Sequence, residues 1–311
     1  MSDPTASVTL AAFGGAFALF LAGTLVRRLS ASRAIRETPL GAVPRPIPDI
    51  SGDSPPPPPG TLPPPLPDAH FSGVPASFYH RFDLLGIGLL FAVFLMMSLS
   101  SIQAAADPDL KVTPGGLAVS IAFQFIVAGI VIAVMTSRVS LKQWLGLRWE
   151  KWPWVFLIAP GCVFSMWLVF IALQGFGYMK WIESLGAEPV QETVKLLQTS
   201  NDPWVLGLMT FAAVIVAPLC EELVFRGYLY PVAKKYSGPW IGAVFSAVVF
   251  AAAHGNLLAL LPLTLFGLLL VFIYEKTGSL WSTIAIHFCF NGATVLLQAL
   301  VRLYHLPIDP P

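Results

Sequence analysis

The chain has 311 residues, of which 56% are hydrophobic and only 11% charged, and its formal net charge is +1. A soluble domain carries about 25% charged residues, so this composition excludes an ordinary soluble enzyme and a disordered chain. The near-zero net charge likewise excludes a basic surface that would steer nucleic acid.

Eight apolar blocks approach the length of about 20 residues that a membrane span needs. In chain order they are Ala6 to Val26, Phe82 to Gln103, Pro114 to Thr136, Pro153 to Gly175, Pro203 to about Tyr230, Gly238 to His254, Leu257 to Tyr274 and Ser279 to Val301. None alternates in the manner of a barrel strand. The expected fold is therefore all-α, a polytopic transmembrane helical bundle of about eight spans with an N-terminal anchor helix.

The first block follows Asp3 without a basic residue and precedes Arg27, Arg28, Arg33 and Arg36. That is the reverse of a signal-peptide flank, and it reads as an anchor with its N-terminus outside. Prolines crowd the next stretch, with runs at Pro55 to Pro59 and Pro63 to Pro65. Such a segment is an extended polyproline-type spacer, rising about 3.1 Å per residue, and it packs no core. It reads as a plain tether or as a ligand for a partner with a proline-binding module. The expected organisation is a membrane anchor over 1–38, a Pro-rich cytoplasmic linker over 39–77 and a bundle core over 78–311.

Threading eight spans places thirteen basic residues on the cytoplasmic side, from Arg27 through Arg138 and Lys142 to Lys276. Four remain outside: Lys111, Lys180, Lys195 and Arg302. This bias is what the positive-inside rule demands, and it predicts a multi-pass plasma-membrane protein with both termini outside. The connection from Arg138 to Trp152 and the one from Tyr178 to Asp202 are expected to be amphipathic. Trp144, Trp149, Trp152 and Trp154 read as interface anchors. Cys162, Cys220 and Cys289 are scattered through apolar blocks, with neither a disulfide framework nor zinc spacing.

Almost all 35 charged residues lie in loops or at block edges; only Glu221, Glu222 and Arg226 sit well inside a block. A charge at mid-membrane costs about 2.5–3.5 kcal/mol even on the lenient insertion scale, so these residues are functional candidates. Glu222 and Arg226 are four apart with the acid first, the favourable order for an ion pair on one helix face. Glu221 is rotated by about 100° from Glu222. It is left as the unpaired carboxylate, a candidate general base. The pairs Phe250 with His254 and His287 with Asn291 share the same four-residue spacing. If the fifth helix continues to Lys234, all these groups reach similar depths at 1.5 Å per residue.

Three motifs now stand in order on separate apolar segments: EExxxR at Glu221, Glu222 and Arg226, FxxxH at Phe250 and His254, and HxxxN at His287 and Asn291. FRGYL follows the glutamates and TGSLW precedes the last span. Together, over about residues 140 to 301, they resemble the CPBP family of intramembrane proteases, also called Abi or CAAX-protease-like, which includes the type II CAAX prenyl endopeptidases. The resemblance implies a glutamate-dependent endopeptidase with no cofactor and no metal. Glu221 would activate water, His254 would orient it, and His287 and Asn291 would form the oxyanion hole. Glu222, Arg226 and Phe250 would support the site. The implied partners are the lipid bilayer and a peptide or protein substrate, with C-terminal CAAX-type and lipidated substrates included, and no nucleic acid.

Three other readings use the same residues. Two histidines and two glutamates offer zinc ligands for a metalloprotease, although no HExxH helix is present. Glu221 with His254 could form a proton relay in a transporter, but no inverted repeat is visible. A scaffold or immunity protein could keep the motifs without cleaving. Asn291 alone could simply bond one helix to another.

Overall fold

The computed structural model describes residues 4–37, 73–105, 112–146, 149, 151–186 and 192–304. The Pro-rich linker expected over 39–77 lies outside the described residues as far as residue 72. Among the described residues every regular element is helical. The main helices are α1 (Pro4–Glu37), α2 (Asp83–Ala105), α3 (Pro114–Thr136), the short α4 (Leu141–Trp144), α5 (Val155–Gly175), α6 (Tyr178–Ser184), α7 (Glu192–Thr199), α8 (Pro203–Ser237), α9 (Pro239–Ala252), α10 (Leu257–Thr277) and α11 (Leu280–Leu303). Seven of the described helices are long and apolar enough to cross a membrane: α1, α2, α3, α5, α8, α10 and α11.

Local sequence sets the helix ends. Thr113 caps α3 by accepting from the Gly116 amide, and Asp202 caps α8 by accepting from the amides of Trp204 and Val205. Proline follows each cap, at the first helical position, where its missing N–H costs nothing. α10 starts at Asn256, whose side chain accepts from the Ala259 amide. It stops at Gly278, where φ is +64° and the amide returns to the Tyr274 carbonyl.

The sixth apolar block departs from the expected span. It forms α9, only 14 residues long, or about 21 Å at 1.5 Å per residue against a hydrocarbon core of about 30 Å. Gly238 and Pro239 begin it; the turn through His254 and Gly255, followed by the Asn256 cap, ends it. The early stop matters for the site, because it puts His254 on the turn after α9, where it lines a cavity.

α8 is the continuous 35-residue helix that the depth matching required. It is not uniform: Ala212–Val216 and Glu222–Leu229 are wound as π-helix. Such wide turns shift carbonyls off the regular ladder and are often found at functional sites. Here the Gly227 carbonyl accepts from both Tyr79 Oη and Trp144 Nε1. Trp144 is consequently buried rather than an exposed anchor, whereas Trp152 and Trp154 are exposed. Burial also pushes the Tyr79 phenol well above the ordinary tyrosine value, so it stays a donor.

α1 is built into the bundle. Phe13, Ala16 and Phe20 are buried in the same apolar cluster as Phe91, Phe225, Phe245 and Phe250. The rings of Phe13 and Phe91 meet edge to face at 5.2 Å, and those of Phe20 and Phe245 lie 5.0 Å apart. Arg27 donates to the Lys234 carbonyl at the end of α8. A second tie joins α2, α8 and the turn after α3: Asp83 at the start of α2 receives Arg138 at 2.6 Å and Tyr228 Oη from α8 at 2.8 Å.

Candidate active site

The charged residues singled out from the sequence converge where α8, α9, α10 and α11 meet. Glu222 Oε1 lies 2.8 Å from Arg226 Nη1, and both side chains are fully buried. Arg226 is held further by the Gly267 carbonyl of α10, at 3.3 Å, and by the Phe250 ring, whose centre is 4.5 Å from the guanidinium carbon. Phe250 thus offers a π-face to a buried cation, a contact worth more away from water. Gly267 permits the approach: a Cβ there would stand 3.0 Å from the Cα of Ala247 and 3.4 Å from Arg226 Nη2.

His287, expected from the sequence to reach a similar depth, joins this pair directly. Its Nδ1 is 3.0 Å from Glu222 Oε1, and its Nε2 is 3.9 Å from Glu221 Oε2. Rings of Phe250 and Phe266 flank it edge to face. Glu222 already accepts from Arg226, so the proton on this contact belongs to His287 Nδ1. Nε2 is then turned toward Glu221. Glu222 is a hub that holds a cation from its own helix and a histidine from α11.

Glu221 stands differently. Its side chain is 24% exposed where that of Glu222 is 0%, and it opens into a cavity of about 150 Å3. Cys220, Val224 and Phe225 of α8, Phe94 and Met97 of α2, and Ala253 with His254 also line this cavity. The remaining wall comes from α3, with Ser120, Phe123, Gln124 and Val127. The space is large enough to hold water beside the carboxylate.

His254 Nδ1 lies 2.8 Å from the Phe250 carbonyl, one turn back on α9. A carbonyl only accepts, so Nδ1 carries the proton and Nε2 of the neutral ring presents a lone pair. Glu221 and His254 therefore line one cavity as two acceptors.

Asn291 is placed less directly. Its Nδ2 donates to the Ala213 carbonyl at 2.8 Å, within the first π-helical stretch of α8. It ties α11 to α8, and one amide hydrogen is thereby committed. Neither Asn291 nor His287 is among the residues lining the cavity, and of the two only His287 contacts the glutamates. Among the described residues no three His, Cys, Asp or Glu side chains are grouped so as to hold a metal ion.

Gln124 and Ser120 were missed by the reading of the sequence. Both sit inside an apolar block, uncharged and without a motif, and only their four-residue spacing hinted at a shared polar face.

The bundle, with seven helices long and apolar enough to span and a buried charged pair beside a largely apolar cavity, defines a multi-pass helical membrane protein. A family model described as type II CAAX prenyl endopeptidase, Rce1-like, matches residues 203–293, a segment holding all three motifs. Over this segment the chain is similar to the CAAX protease family. It is 30% identical over 91 residues to a Bacillus subtilis (strain 168) protein named "Putative membrane peptidase YdiL", covering 29% of this chain and 37% of that protein. It is 35% identical over 109 residues to an Escherichia coli protein named "Uncharacterized 24.3 kDa protein", covering 33% and 49%. The chain thus spans less than half the length of either relative. No solved structure matches the chain.

Proposed function

We propose that the chain is an intramembrane endopeptidase in which Glu221 is the general base. The observation that carries this reading is the asymmetry of the two adjacent carboxylates: Glu222 is closed off by Arg226 and His287, while Glu221 faces the cavity shared with His254. Glu221 takes one proton from a water that His254 Nε2 orients through the other hydrogen. The water oxygen attacks the peptide carbonyl carbon, and the carbonyl oxygen becomes the oxyanion. Glu221 then returns the proton to the leaving nitrogen as the C–N bond breaks. His287 Nε2 and the second amide hydrogen of Asn291 are the groups assigned to the oxyanion. With Nδ1–H held by Glu222, His287 donates from Nε2 only when its ring is doubly protonated.

The family description makes a C-terminal CAAX-type peptide, with or without a lipid, the first substrate class to test. Counted with the short α9 as an eighth crossing, the positive-inside bias supports a plasma-membrane protein with both termini outside and a site served from the cytoplasm. The Pro-rich stretch is proposed as a tether to the core.

The test is product analysis by mass spectrometry. Purified protein is incubated with a farnesylated CAAX peptide in water enriched in oxygen-18. One internal peptide bond should be cut, with the heavy oxygen in the new carboxylate. A peptide left intact by protein that is folded and pure contradicts the proposal for this substrate class.

A further inference from the structure

The cavity has one polar wall that the proposed chemistry does not use. α3 is apolar from Pro114 to Met135 except for Ser120 and Gln124, and both line the cavity opposite Glu221 and His254. They are four residues apart, so they share a helix face. Gln124 lies about 15 Å along α3 from its start, near mid-membrane. Its Oε1 is buried and has no hydrogen-bond partner among the described residues. Glu221 Oε2 across the cavity is in the same condition.

A buried carboxamide oxygen without a partner costs stability, typically about 1–3 kcal/mol for the missing bond. Its presence on a helix that could carry Leu or Met calls for a ligand that completes it. Building on the peptidase reading, we propose that Gln124 is a substrate-positioning residue, which pairs its side-chain amide with a backbone amide of the bound peptide. The side-chain carboxamide presents one acceptor and an adjacent donor, the complement of a peptide group's N–H and C=O. An extended peptide entering an otherwise apolar cavity leaves its own backbone groups without water. Gln124 meets that need on the wall facing Glu221 and holds the scissile bond against the base. Ser120, one turn away, offers a second and weaker contact.

Two measurements on the full-length protein in detergent test this. The first is the thermal unfolding of Gln124→Met, which keeps the shape and removes the amide. A residue serving only the fold would lose stability on this change. The proposed role predicts a midpoint equal to or above wild type, since an unpaired polar group is removed. The second is the affinity for a fluorescent farnesylated CAAX peptide in the Glu221→Gln background, where turnover is not required. Gln124→Met is expected to weaken that affinity about tenfold. In the cleaving enzyme the same change is expected to raise KM with little loss of kcat. Ser120→Ala should weaken binding by a smaller factor. Unchanged peptide affinity alongside normal cleavage overturns the role of Gln124 and leaves the peptidase reading standing. A lowered unfolding midpoint with unchanged affinity assigns Gln124 to packing and also overturns it. If Glu221→Gln protein and wild type neither bind nor cleave the peptide, the substrate class fails and this inference fails with it.

Discussion

Glu222 differs from its neighbour Glu221 in being closed off by its own partners. Its Oε1 receives Arg226 at 2.8 Å and His287 at 3.0 Å in a site closed to solvent. Such a pair is costly to assemble, but more costly to halve, because the surviving charge stays buried. Glu222→Gln is therefore expected to reduce unfolding stability by about 3–5 kcal/mol in detergent, whatever its effect on cleavage. Glu221→Gln breaks no bonded pair and should unfold near the wild-type temperature. Thermal denaturation followed by circular dichroism separates the two, and equal losses would contradict the division of labour. The spacing of Glu222 and Arg226 in the sequence was enough to anticipate their bond, since i and i+4 meet on any helix. The link from Glu222 to His287 spans 65 residues and depends on how α8 and α11 pack, so nothing local announced it. Gln124 was silent for the same reason: an uncharged polar residue becomes informative only once the opposite wall is known.

Among the elements, α9 has the largest consequence for its length. The break between the sixth and seventh blocks was visible in the sequence as His254, Gly255 and Asn256, but the shortness of the helix was not weighed against the membrane. That shortness sets His254 on a turn, beside the cavity and one turn from the Phe250 carbonyl that fixes its tautomer. Asn256→Ala removes the cap of α10 and should cost about 1 kcal/mol. If the turn also positions His254, the variant will lose more activity than that loss of stability accounts for, measured as kcat/KM at a temperature where both proteins are fully folded. The π-helical stretches of α8 were hidden for a physical reason. A change of winding over five to eight residues hardly alters an apolar pattern, and it is held by distant donors: Asn291 at Ala213, and Tyr79 with Trp144 at Gly227.

For the molecule as a whole, composition and block length were sufficient to predict a helical membrane bundle, because lipid leaves few ways to satisfy a backbone. What they did not reveal is that α1 shares the core. Phe13 and Phe20 are about as buried as the residues around the site, and Phe20 packs on Phe245 of the helix that delivers His254. Phe20→Ala should therefore cost about 3 kcal/mol and lower the unfolding temperature of the entire bundle in one transition. A separate early transition would show instead that α1 melts on its own.

In the proposed mechanism Glu221 and His254 activate water for peptide hydrolysis. The most direct measurement is cleavage of a quenched fluorescent CAAX-type peptide by wild type, Glu221→Gln, His254→Ala and Gln298→Ala, each with and without a zinc chelator. Gln298, which bonds Gln198 away from the cavity, serves as the remote control. The account predicts cleavage by wild type and Gln298→Ala that survives the chelator, with Glu221→Gln and His254→Ala reduced by at least about two orders of magnitude, as for loss of a general base. Cleavage retained in Glu221→Gln, or abolished by the chelator and restored by zinc, would contradict it.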